Sequence, residues 1–170
     1  MDKEYWLEEL EHIDDQLAYT EMKNQRNKEL IAGLELAYGD KAIEYAHVER
    51  VYGKVCHDGL KGEVAILHGL VDDGVMTQAE VLESYGDFSA KMVNYMTKSG
   101  KTCEDYYSLF AKKSMLLSVK IYEVLDMLEH CYSVEYAREI GEYFLPILKS
   151  NSSYADEYEM VREAVRKSWI

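Results

Sequence analysis

The segment AILHGLVDDG, residues Ala65 to Gly74, decides the fold class of this chain. At a helical period it reads as the last turns of a buried helix. His68 and Asp72, four apart, share one face, Asp73 lies one step round, and Ala65, Ile66, Leu67, Leu70 and Val71 cover the rest. An imidazole and two carboxylates on so apolar a segment admit two explanations. One is a core histidine satisfied by its neighbours and a solvated helix end. The other is a site, and the position of the aspartates bears on it, because the C-terminal end of a helix is its negative pole.

Outward from this helix the same period continues in both directions. A single proline, Pro146, and rows of Leu, Glu, Lys, Ala and Met predict an all-α chain with no sheet. On the N-terminal side, His57-Asp58 is followed by Gly59-Leu-Lys-Gly62, a turn composition. Before that, residues 41–56 form a helix with Ile43, Ala46, Val48, Val51 and Val55 inward and His47 on it. Residues 2–38 read as one long helix or a hairpin of two, packed on the domain of residues 39–170 as part of a single globular unit. Trp6, Leu10, Ile13 and Leu17 have heptad-like spacing there, a stripe that suits core packing, while a helix projecting beyond the domain would favour a homodimer through it.

On the C-terminal side Gly74 ends the central helix, and Thr77 with Glu80 forms a capping box. The helix it starts runs to Tyr85 and is broken at Gly86. Phe88 to Thr97 carries Met92, Val93 and Met96 inward, and Thr102 caps the next helix with Asp105. A second strongly apolar helix, residues 115–130, holds Glu123 in mid-run, where a carboxylate needs a partner. Ser133 starts a helix interrupted near Pro146, and an amphipathic helix closes the chain. Asn151-Ser-Ser is a formal sequon that reads as a polar turn.

The 32 acidic against 19 basic residues give a formal charge of -13, which repels phosphate backbones and argues against nucleic acid or an anionic membrane as partner. No transmembrane, signal or transit segment is read, and three scattered cysteines, Cys56, Cys103 and Cys131, are expected to be reduced, buried thiols in a cytoplasm. G-x-G-x-x-G, G-K-S/T and G-x-S-x-G are all absent. What remains is a scattered set of histidines and carboxylates on helices, a set that can converge on a divalent metal inside a bundle.

The order of these pieces resembles the HD-domain phosphohydrolases, more narrowly the (p)ppGpp hydrolase domain of the RelA/SpoT type. AHVERV carries His47, LHGLVDDG stands where the family has a segment like LLHDVVEDT, YGDFSAKMVNYMTK repeats an FG and LTK spacing at Gly86 and at Thr97-Lys98, and SVKIYEVLDML holds the place of a helix like VKLADRLHNM. EIGEYFLPIL is similar to the family's later helix with a tyrosine and a Leu-Pro pair. The resemblance implies an HD-like bundle of about eight to ten helices. It also implies a manganese site for phosphoryl hydrolysis, with a small phosphorylated nucleotide as substrate.

Carried across, the resemblance implies His47 and His68 as metal ligands and Asp72-Asp73 as the acidic couple that orients the attacking water. The aspartate expected after His68 is Gly69, and the late aspartate is Glu123, one methylene longer. The basic loop before the first histidine is reduced to Tyr38-Gly39-Asp40-Lys41, and the family's asparagine falls on Met127. So degenerate a ligand set implies no metal or a weakly bound divalent ion, and a binding or regulatory role. The alternatives are an active manganese phosphohydrolase and an unrelated helical interaction protein. His57-Asp58, a literal HD pair, reads as a decoy, and His12 and His130 as solvated.

Overall fold

The computed structural model describes residues 3–130 and 133–169, with side chains from residue 15 onward. Trp6, Leu10, His12, Ile13 and Cys131, as side chains, lie outside the described residues. Among the described residues nine α-helical segments follow in order: α1 Lys3–Tyr38, α2 Ala42–Val55, α3 Gly59–Asp72, α4 Gln78–Met96, α5 Cys103–Ser108, α6 Ser114–His130, α7 Val134–Glu139, α8 Leu145–Lys149 and α9 Ala155–Lys167. A π-helical turn, Ile140–Phe144, joins α7 to α8. The fold is all-α, with no strand among the described residues.

The first helix is continuous, not a hairpin. The polar stretch EMKNQRNKE at its centre contains good helix formers and no glycine or proline, so nothing stops the helix before Gly39, which turns the chain at φ 58°. Thr77 closes both bonds of the capping box with Glu80 at the start of α4. Within α4 Gly86 adopts φ 84° and ψ 171°, a conformation open to glycine and costly to other residues, and there the helix breaks into two arms. Ser133 caps α7, and Pro146 sits in the first turn of α8, where a missing N–H costs no bond.

α3 is the centre of the bundle: Gly59 and every residue from Gly62 to Leu70 are buried. It lies at the seam of two apolar clusters. One gathers Leu34, Val48, Ile66, Leu67, Leu70, Val81 and Val93; the other gathers Val64 and Ala65 with Phe110, Leu117, Ile121, Phe144 and Val161. The turn composition at 59–62 is in fact the first turn of this helix. A Cβ on Gly59 would stand 2.8 Å from Lys23 Cβ on α1, so the glycine sets a close helix crossing. Asp58 is its N-cap, accepting from the amides of Leu60 and Lys61.

Two apolar expectations fail. Ile43 is 73% exposed, because 100° per residue carries it off the stripe of Val48, Val51 and Val55. Cys56 is exposed at the C-cap of α2, and Cys103 is half-buried at the start of α5. Residues 15–22 of α1 are exposed, Leu17 at 62%, since α3 begins to cover α1 only near Thr20 and Lys23. No helix among the described residues is long and apolar enough to cross a membrane.

Candidate functional site

Three helices bring the histidines together. α2 supplies His47, α3 supplies His68, and α6 supplies Glu123; all three line one small cavity together with Val48, Val51, Gly69 and Met96. Its volume is about 10 Å³. That is at most enough for one water molecule.

His68 is 6% exposed, and its Nε2 stands 3.4 Å from Glu123 Oε2 and 3.5 Å from Asp72 Oδ2. Neither His68 Nε2 nor Glu123 Oε2 has a hydrogen-bond partner. The other oxygen of Glu123 accepts from Lys120 Nζ at 2.6 Å, the partner that its apolar surroundings demand. Burial alone would raise the Glu123 carboxyl, but the Lys120 ammonium, then His68, hold it below its ordinary value. Lys120 is itself buried, with its ammonium 5.1 Å from the centre of the Tyr106 ring; burial opposes its charge, and Glu123 joined by Tyr106, Tyr136 and Tyr107 outweighs this, keeping the ammonium charged.

The two aspartates part company. Asp72 stays beside His68 and accepts from Thr97 Oγ1 at 3.2 Å, and burial together with the Glu123 carboxylate pushes its carboxyl up. Asp73 turns toward the α1–α2 corner, where Tyr38 OH donates to Oδ2 at 2.8 Å and Lys41 Nζ to its backbone carbonyl at 2.8 Å. The pair is therefore not one acidic couple at the histidines. Lys98 is drawn off as well, bonding Glu139 on α7 at 2.6 Å, which also accepts from Tyr107 OH.

His47 has a partner that spacing did not reveal. Its Nδ1 donates to Asp126 Oδ2 at 2.7 Å, and Arg50 grips the same carboxylate through Nε at 2.6 Å and Nη2 at 2.9 Å. His130 closes on it too, with Nδ1 3.3 Å from Asp126 Oδ1 and 3.2 Å from the Asp126 backbone carbonyl, so this histidine is exposed but not merely solvated. Burial works against the Asp126 carboxylate, yet Arg50 and His47 hold it below the usual range. The signal was present as His47 and Arg50 three apart on α2 and Glu123 and Asp126 three apart on α6. His57 is exposed and stands apart from this group.

No family model, curated protein or solved structure matches the chain.

The residues do not fit a four-ligand manganese centre. Gly69 offers no donor, and a Cβ built on it would stand 2.3 Å from Val48 Cγ2, so the space an aspartate needs is already filled. Glu123 is half-engaged by Lys120, and His47, bound through Nδ1 to Asp126, keeps its Nε2, so the open donors at the cavity are Nε2 of both histidines and one Glu123 oxygen. No cluster of three or more His, Cys, Asp or Glu side chains with metal-holding geometry occurs among the described residues.

Proposed function

We propose that this chain is a divergent HD-domain protein, resembling the (p)ppGpp hydrolases, whose metal catalysis is lost and whose role is binding or regulatory. The observation that carries this reading is the contact of Val48 with the Cβ position of Gly69. His47, His68 and Glu123 stand on three helices around one point, as the resemblance implies, and Val48 occupies the place of the missing ligand. A cavity of about 10 Å³ admits neither a hydrated ion nor a nucleotide phosphate. In this reading Lys120 neutralises Glu123 and Val48 fills the ligand gap at Gly69, so the old site is packed shut.

One observation favours the active manganese phosphohydrolase instead. His68 Nε2 and Glu123 Oε2, both unpartnered and 3.4 Å apart, are spaced as two ligands of one ion. Elemental analysis separates the readings. Protein purified without chelator and soaked in manganese is expected to carry far less than one metal per chain, and near one per chain overturns the proposal. The triple variant Val48→Ala, Gly69→Asp, Glu123→Asp, which reopens the space and restores the ligand types, is expected to gain manganese; failure of a folded triple variant to do so counts against the HD assignment itself.

Self-association belongs to the same reading. α1 runs past the end of α3 with Leu17 exposed, on the heptad-like stripe begun by Trp6, Leu10 and Ile13. A helix whose residues 15–22 are exposed is stabilised when a second copy covers the stripe.

A further inference from the structure

We propose that the histidine pocket holds one structural water molecule where the resemblance places a metal ion, and that this water accepts from His68 Nε2 and donates to His47 Nε2 and Glu123 Oε2. The inference rests on the reading above, in which metal catalysis is lost. The pocket's volume of about 10 Å³ is close to that of one water-sized sphere. Its lining is otherwise apolar, with Val51, Ala65, Met96 and Val119 among it. His68 Nε2 and Glu123 Oε2 are buried without a hydrogen-bond partner, and buried polar atoms in folded proteins are seldom left so.

The hydrogens around the pocket select water over an ion. His47 gives its Nδ1 proton to Asp126 at 2.7 Å, so the neutral ring presents a lone pair at Nε2. Glu123 binds Lys120 through Oε1, which leaves Oε2 as a second acceptor. His68 Nε2 stands between Oε2 of Glu123 at 3.4 Å and Oδ2 of Asp72 at 3.5 Å, and two carboxylates favour a proton, not a lone pair, at that nitrogen. Neither contact closes a hydrogen bond. The pocket therefore offers one N–H donor and two acceptors. A water molecule, with two O–H groups to give and a lone pair to accept, satisfies all three. An ion of either sign serves fewer of them: a cation meets the proton on His68, and an anion faces the lone pairs of His47 and Glu123.

Crystals of the full chain, purified without chelator and grown at about pH 8, above the range in which a free imidazole titrates, provide the test. Diffraction data on either side of the manganese and zinc absorption edges are expected to show one peak in the pocket with no anomalous signal, about 2.7–3.2 Å from the three atoms. A peak with anomalous signal at about 2.0–2.2 Å is a metal, and it overturns both the water and the loss of metal catalysis. A pocket with no peak at all overturns the water alone. Nitrogen-15 NMR gives a second readout, because the two tautomers of a neutral imidazole differ in the shifts of their ring nitrogens. His68 is expected as the Nε2–H tautomer and His47 as the Nδ1–H tautomer. A His68 ring protonated at Nδ1 instead overturns the bonding given to the water.

Discussion

Val48 and Gly69 form the contact on which the α2–α3 crossing depends. Gly69→Ala places a methyl where Val48 Cγ2 stands, and such overpacking costs about 1–3 kcal/mol. Val48→Ala in the same chain removes the clash, so the double variant is expected to be more stable than the two single changes added together. Urea unfolding of the four chains measures that coupling. The Asp126 carboxylate gives a second residue-level test. Its folded pKa lies below the unfolded value, so it adds stability above that value, and the stability is lost as pH falls through the folded pKa. Asp126→Asn is expected to unfold at lower urea than the parent at about pH 6, with the gap narrowing toward about pH 3 as the parent's carboxylate protonates. A gap that stays constant over that range would sink this account of His47 and Arg50.

The helices owe their limits to local chemistry and their positions to distant contacts. Thr77→Ala removes the hydroxyl side of the α4 capping box, leaving the residue 77 amide on Glu80, and is expected to cost about 1 kcal/mol, readable as a lowered thermal midpoint. The Asp58 cap has a similar local role, which is why a literal His-Asp pair occurs at 57–58 with no part in the histidine pocket. α3 differs from its neighbours in being buried along most of its length. Its glycines at 59 and 69 let α1 and α2 approach, while Lys23, buried on α1, places both Nζ contacts on Glu63 at 2.7 and 2.8 Å. Ser89 of α4 donates to the same carboxylate, so one buried acid ties three helices. Removing a partner from so buried a charge is costly, and Lys23 and Glu63 are core residues despite their polarity.

At the scale of the whole molecule, the exposed residues 15–22 of α1 are where the proposed self-association is tested. Sedimentation equilibrium is expected to give a dimer for the parent chain, and Leu17→Asp, a charge on the exposed stripe, is expected to shift it toward monomer with unchanged helix content. A monomeric parent chain would leave α1 without the partner argued for it. The formal charge of -13 favours such an experiment at moderate salt, where acidic arms repel each other less.

Much of this architecture was legible in the residues. Helix periods, the Thr77 and Ser133 caps, the break at Gly86, the shared face of His68 and Asp72 and the need of Glu123 for a partner all follow from spacings of a few residues, over which backbone geometry is nearly invariant. By itself the sequence determined an all-α chain with α3 at its centre. Tertiary structure alone decided that Val48 fills the place beside Gly69, that Asp126 holds His47, that Asp73 turns away to Tyr38, and that α2, α6 and α9 leave a cleft. The reason is physical. Each of these depends on how closely two helices approach, and that distance is set by side-chain volumes and charges brought together from far apart along the chain, which no local period encodes.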